Sequence, residues 1–384
     1  MSQFIQLHIL TSYPPANLNR DDLGRPKTAV MGGTQRLRIS SQSLKRAWRT
    51  SDLFDQALAS HKGIRTKEIG IKVYEAITTG RSLSDVIAGK PLSNETTAGI
   101  SEDAARNWAW KIASLFVDKP EGKTPEKLKD ESKNAKSNVD RDTLKSEQLV
   151  FFDPDEIDKI DSLISVVVTE KRDWTRKELE SLPKESDYSA ADLAMFGRML
   201  ASSPKANTEA AAQVAHAISV HEVAVEDDYF TAVDDLNKGA DDAGAAHIGE
   251  TEFAAGLFYL YVCINRDLLE SNLGVHKEIT GPALKGLTEA AAVIAPTGKQ
   301  NSFASRARAS YMLAEKGTQQ PRSLSVAFLK PIAGNDILSG AIEALCTTRQ
   351  HMDDVYGACA DDHKTFNTLT GKGTLDEILK FVES

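Results

Sequence analysis

Between residues 36 and 48 the apolar period of this chain changes from two to four. Arg36-Leu37-Arg38-Ile39-Ser40 alternates polar and apolar side chains, the pattern of a strand with one buried face. Directly after it, Leu44 and Trp48 stand four apart on one face of a helix, and Lys45 and Arg49 stand four apart on the adjacent face. Ser40 or Ser41 is the cap. A strand that feeds such a helix commits this part of the chain to an α+β unit, with the helix laid on a sheet.

The same stretch is the most basic place in the chain. Residues 20–49 hold eight Lys or Arg (Arg20, Arg25, Lys27, Arg36, Arg38, Lys45, Arg46, Arg49) against Asp21 and Asp22, within a sequence of formal net charge -9. A helix start offers unpaired N–H groups and the positive end of its dipole. Serine hydroxyls, Gln42, Lys45 and Arg49 lie within two turns of this one, a phosphate-gripping arrangement. The plainer reading is a solvated face on an amphipathic helix. The basic strand and basic loop beside it favour phosphate. Such contacts give affinity without sequence preference and weaken as salt rises.

At 384 residues the chain can bury a large core in one elaborated domain or two. Its mean hydropathy of -0.33 fits a soluble protein, and no apolar run approaches the ~20 residues that span a bilayer. Three scattered cysteines (Cys263, Cys346, Cys359) suit neither a disulfide framework nor a zinc site, so a reducing cytoplasm is expected. A pI near 5.5 excludes indiscriminate nucleic-acid coating but leaves room for a confined basic groove.

In chain order, residues 4–11 alternate as a strand, and the Pro- and Gly-rich residues 12–34 read as a long functional loop. Residues 67–78, 104–117 and 154–170 are amphipathic helices. The stretch 118–147, with eight cations and eight acids, is a solvated helix or mobile insertion. Residues 189–200 and 216–225 read as strands, 209–215 as a short helix, and 252–265 as a central strand. Between the last two strands, residues 222–252 carry ten acids and one lysine around Tyr229-Phe230, a protruding hairpin. Residues 267–273, 280–295, 336–356 and 375–382 are helical, and 309–315 and 323–329 form a strand pair.

Catalytic patterns are scarce. The sequence has no HExxH, CxxC, GxSxG or Walker A motif, and His216 and His221 point to opposite faces of a predicted strand as structural residues. Asp21-Asp22, beside the basic site, could hold Mg²⁺ for phosphodiester cleavage or pair with nearby arginines. Gly32-Gly33 is a turn or a weak phosphate cradle. Tyr229-Phe230 either stack on bases or pack at the hairpin's foot, and Met199 is open to the same two readings.

Several segments in this order carry a family resemblance: FIQLHIL (from Phe4), LNRDD (Leu18), GGTQRLRISSQSLKRAWR (Gly32), FGRM (Phe196), AHAISVHEV (Ala215), DYFTAVDDL (Asp228) and AHIGETEF (Ala246). The chain resembles the CasC family, the backbone subunits of type I-E CRISPR Cascade complexes in the RAMP superfamily. That resemblance implies a modified RRM-like (ferredoxin-like) palm over residues 1–60 and 186–384, a helical fingers insertion over 61–185, and a β-hairpin thumb over 222–252. It implies a non-catalytic protein without cofactor or metal. Copies would stack head-to-tail along one crRNA with large, small and guide-end capping subunits, holding the guide for pairing with a target DNA strand. By motif position, Arg20, Arg38, Ser40, Gln42, Lys45 and Arg49 would contact the guide backbone. Met199, Phe230, Thr231 and Ile248 would surround a flipped base, and Lys299 and Gln300 would close over the RNA. The family commonly has lysine at the position of Arg49, tryptophan at Tyr229 and leucine at Ile248.

Overall fold

The computed structural model describes residues 2–91, 99–116, 144–146, 148–179, 181–201, 203–232 and 247–384. From the N-terminus, β1 (Phe4–Ala16), β2 (Thr28–Met31) and β3 (Thr34–Ile39) lead into α1 (Ser41–Arg49) and α2 (Asp52–Leu58). Next come β4 (Ile64–Thr66), α3 (Ile69–Thr79), α4 (Leu83–Ile87), α5 (Glu102–Ala113), β5 (Val150–Phe152) and the helix Pro154–Thr169. Then β6 (Ala212–Val214), β7 (Ala217–Ser219), β8 (Glu226–Ala232) and β9 (His247–Asn265) precede the helix Thr280–Val293. β10 (Ala309–Gly317), the helix Ile337–Tyr356, β11 (Asp362–Asn367) and the helix Leu375–Glu383 complete the chain. It divides into two compact units, residues 1–57, 212–267 and 281–384 in one and residues 58–211 and 268–280 in the other. Residues 186–211 therefore belong with the helical unit rather than with the sheet.

The first unit is built on an antiparallel sheet in the order β11-β10-β1-β9-β7-β3-β2, with β6 and β8 also paired to β9. β1 lies between β10 and β9, Phe4 opposite both Gly317 and Asn265. One face of β1 buries Ile5, Leu7 and Ile9, and the other buries Gln6, His8 and Leu10, so the strand is covered on both sides. On the second face, under the helix Ile337–Tyr356, Glu315 is fully buried. It accepts from His8 Nε2 at 3.2 Å, Arg322 Nη1 at 2.7 Å and Arg349 Nε at 2.7 Å. Burial opposes its charge, but His8 and Arg322 hold the carboxyl well below its ordinary range. β9 runs 19 residues because it serves β1, β6 and β7 in the sheet and β8 in a hairpin that continues beyond it.

The second unit packs α3, α5 and the helix Pro154–Thr169 around Val73, Ile77, Ala109, Ile112, Phe116, Ile160 and Ile164. Its buried charge is paired: Arg198 Nη1 donates to Glu156 Oε2 at 2.7 Å and to the Phe151 carbonyl at 3.1 Å. Glu156 also closes the capping box of its helix by accepting from the Asp153 N–H at 2.9 Å.

Four expectations fail locally. Residues Ala191–Phe196 are helical, not a strand, because Ala, Leu and Met favour helix and Asp192 sits inside accepting from the Gly63 N–H at 2.7 Å. The expected helix at 209–215 is instead β6, recruited by pairing with Ile264–Val262 of β9. Residues Ser325–Phe328 form a 3₁₀ turn in place of a strand, started by Ser323 Oγ accepting from the Ser325 N–H at 3.2 Å. The expected loop 12–34 shortens, since β1 continues to Ala16 and β2 pairs with β3. Edge strand β11 escaped notice because only Phe366 of its six residues is buried. Apart from 144–146, the charged stretch 118–147 lies outside the described residues, as does the far end of the hairpin at 233–246.

Candidate nucleic-acid interface

α1 begins where Ser40 leaves the strand with φ -68° and ψ 144°, and its hydroxyl accepts from the Ser43 N–H at 3.4 Å. Leu44, Ala47 and Trp48 are buried against the sheet unit. The remaining ridge, Gln42, Lys45, Arg46 and Arg49, has the spacing of one helix face and stays exposed or half-buried. No acid occupies the first turn, where the dipole ordinarily attracts one. The first turn thus contributes no carboxylate of its own, while the outer face of the helix carries three cations.

Two asparagines that sequence reasoning did not single out hold this surface together. Asn19 Oδ1 accepts from the Ser40 N–H at 2.9 Å, and its carbonyl accepts from Lys27 N at 2.8 Å. The Lys27 carbonyl in turn accepts from Arg38 N at 2.8 Å. Asn17, fully buried, donates to the carbonyls of Gly24 and Glu252, each at 2.9 Å. The loop of residues 20–26 is therefore fastened to β3, to the start of α1 and to β9. An asparagine in a Pro/Gly-rich loop signals a turn, and only the fold shows what it ties together.

Within that loop Asp21 Oδ1 accepts from the Leu23 N–H at 3.0 Å and the Arg25 N–H at 2.9 Å, which makes this carboxylate part of the turn. Arg25 Nε pairs with Glu252 Oε1 at 3.0 Å. Among the described residues no group of three or more His, Cys, Asp or Glu side chains is placed to hold a metal ion. Arg20 is exposed at the loop's entrance. Arg38 donates to His216 Nδ1 at 2.8 Å, and burial, followed by the charges of Arg38 and Lys27, lowers the His216 pKa. His216 is structural in that it steadies a surface arginine. His221 links Leu257 N–H to the Glu222 carbonyl through its two ring nitrogens.

Arg36 does not share the surface with the other cations. It is 0% exposed, and it donates to the Ser219 carbonyl at 3.0 Å, the Phe328 carbonyl at 3.0 Å and Thr34 Oγ1 at 2.9 Å. The alternation of β3 suggested one solvent face, but both faces are covered where Phe328 and Leu329 close over Arg36. Ser40 is also buried and spends its hydroxyl on the cap.

The loop after the helix Thr280–Val293 approaches the same region. Gly298 sits against the backbone oxygens of Asn17 and Leu18, where a Cβ would overlap them. Lys299, at φ 47°, donates to Thr251 Oγ1 at the foot of the β8–β9 hairpin. Gln300 turns inward, its Nε2 donating to the Pro296 carbonyl at 2.8 Å. It braces the loop.

In the hairpin Tyr229 opposes Glu250, Phe230 opposes Gly249, and Thr231 opposes Ile248. Tyr229 and Phe230 are 65% and 45% exposed, which settles their placement outside the core. The Phe230 ring lies over Gly249, in space that any Cβ would fill. Asp227 faces Glu252, a like-charge pair relieved by Arg25. In the second unit, Met199 is 78% exposed between buried Arg198 and Leu200, so its flanks fix it pointing outward.

A family profile described as CT1975-like protein matches residues 5–380. Comparison with curated protein sequences finds no match. Among solved structures, a chain of a "CRISPR RNA-guided surveillance complex, pre-nicking" is similar at 26% identity and a TM-score of 0.75, covering 99% of this chain and 100% of that one. A chain of a "CRISPR RNA-guided surveillance complex" shares the fold at 21% identity and a TM-score of 0.55, covering 98% and 99%.

Proposed function

The chain belongs to the CT1975-like protein family, and from that premise we propose that it is a backbone subunit of a CRISPR RNA-guided surveillance complex of the type I-E Cascade kind. In this reading it is a cytoplasmic, non-catalytic scaffold. Copies follow one another head-to-tail along a crRNA, with large, small and guide-end capping subunits, and keep the guide open to a target DNA strand. The observation that carries the proposal is the outer ridge of α1, cationic and free of first-turn acids, beside Arg38 and Arg20. A subunit serving any guide must grip backbone without reading bases, which cations aimed at phosphate achieve.

Arg20, Arg38, Lys45 and Arg49 contact phosphates, Gln42 donates beside them, and Lys299 approaches from the hairpin's foot. Ser40 and Gln300 contribute by holding α1 and the loop in place. Phe230, Thr231 and Ile248 of the hairpin attend a base turned out of the stack. Scaffolding is favoured over cleavage because the Asp21 carboxylate is engaged in its own turn.

Expression with a CRISPR guide RNA and the partner subunits, followed by electron microscopy, tests the proposal. Regular stacking of several copies along the RNA is expected. Particles without repeated copies refute it, and regularly spaced, Mg²⁺-dependent cuts in a complementary RNA refute the non-catalytic part.

A further inference from the structure

Several arginines of this protein are engaged within it. Arg36, Arg172, Arg198, Arg322 and Arg349 are held by protein carbonyls or carboxylates. Arg306 and Arg308 have no ion-pair partner among the described residues, in a chain that carries 55 acids. Both occupy the short segment before β10, where Ser305 and Ala309 are buried and the two arginines are exposed. Both side chains line one cavity, so the two guanidiniums are presented at the same place on the surface. The segment is held from behind: Ala304 takes a left-handed φ of 48°, and the Arg306 N–H donates to its carbonyl at 2.7 Å.

These two arginines line a cavity of about 480 Å³ whose other walls include Ala47 and Thr50 at the end of α1, Thr297 and Asp52. Two guanidiniums against one carboxylate leave a net positive rim. The cavity lies at the end of α1 opposite the Ser40 cap, ~13 Å away for a helix of this length. The Gln42-Lys45-Arg46-Arg49 ridge runs between the two ends.

We infer that Arg306 and Arg308 form a second phosphate station for the RNA strand gripped at the start of α1, an inference that rests on the RNA-binding reading above. A planar guanidinium engages two phosphate oxygens at once, and two of them side by side suit consecutive phosphates. At ~3.4 Å per nucleotide of a stacked strand, about four nucleotides separate the stations. The guide is thereby held at both ends of one helix, which fixes its direction across the subunit and not only its presence.

The test uses the full chain and a single-stranded RNA of guide length in filter binding. Variants Arg306→Gln with Arg308→Gln and Arg306→Glu with Arg308→Glu stand beside Lys45→Glu with Arg49→Glu. The expected result is at least a tenfold rise in Kd for the Arg306/Arg308 glutamate pair, about 1.4 kcal/mol, with a smaller rise for the glutamine pair and unchanged thermal unfolding for the latter. Loss of binding in the Lys45/Arg49 variant with full binding in both Arg306/Arg308 variants overturns this inference alone. No binding by the unmodified protein overturns the RNA reading itself. Full RNA binding with lost self-association of the Arg306/Arg308 variants would mark a protein-docking surface and also overturns the inference.

Discussion

Replacing Lys45 and Arg49 together by alanine isolates the term on which the functional reading depends. Both side chains lie on the half-exposed ridge of α1, while the packing of the helix rests on Leu44, Ala47 and Trp48. The fold should therefore tolerate the change, at a cost near that of exposed ion pairs, ~1 kcal/mol or less. If each cation neutralises one phosphate of a single strand, the slope of log K against log salt flattens by about 1.4. Between roughly 50 and 200 mM salt, the unmodified protein then loses about sevenfold more affinity than the variant. Filter binding across that range with two unrelated guide-length RNAs gives the slopes, and both sequences should respond alike because phosphate carries no sequence information. Parallel lines for variant and unmodified protein would show that these cations face no phosphate. A change confined to one RNA sequence would mean that α1 reads bases.

Three other perturbations test different parts of the structure. His8 is fully buried, accepts from the Tyr259 hydroxyl through Nδ1 at 2.8 Å, and has a pKa lowered chiefly by burial. Its neutral form contributes stability that is present above about pH 6.5 and is lost as pH falls from there toward the folded pKa. Glu315, also lowered, adds a second loss below its ordinary carboxylate range, and thermal unfolding of His8→Gln should lack only the first stage. Arg198→Ala leaves Glu156 charged and buried in the helical unit, so urea unfolding should show a loss of about 3–5 kcal/mol, and a loss under ~1 kcal/mol would mean that Glu156 protonates or finds water. Gly249→Val displaces the Phe230 ring, so a 2-aminopurine placed at the turned-out position of the guide should report stacking as in Phe230→Ala, while an unchanged signal removes Phe230 from the site.

The sheet framework and the start of α1 were legible because both depend on local pattern. The alternation in β1, the apolar run of β9 and the serine joint before α1 each concern neighbours within a few residues. What failed depended on partners distant in sequence. β6 is three residues that become a strand only because β9 passes beside them, and the 323–329 alternation loses to a 3₁₀ turn. In the site, Gln42, Lys45 and Arg49 were visible from spacing alone. Asn17 and Asn19 were not, since their bonds to Glu252 and Ser40 span 235 and 21 residues. Arg306 and Arg308 were passed over because two isolated cations carry no motif, and the cavity they share appears only in the fold.

Arg36 shows why charge in a sequence is an incomplete guide to a binding surface. It lies two residues from Arg38 in the same strand, yet it is sealed under Phe328 and Leu329, where its hydrogen bonds go to carbonyls. A guanidinium so committed cannot also meet a phosphate without leaving those carbonyls unpaired, at about 1–3 kcal/mol for each. Arg38 stops at the surface, where the imidazole of His216 is its side-chain partner among the described residues, a contact that orients it without cancelling its charge. In the proposed function, nucleic acid is met by the cations that the fold supports from behind and leaves at the surface. By that criterion the candidate interface runs from Arg20 and Arg38 along the exposed ridge of α1, and Arg36 belongs to the sheet that carries it.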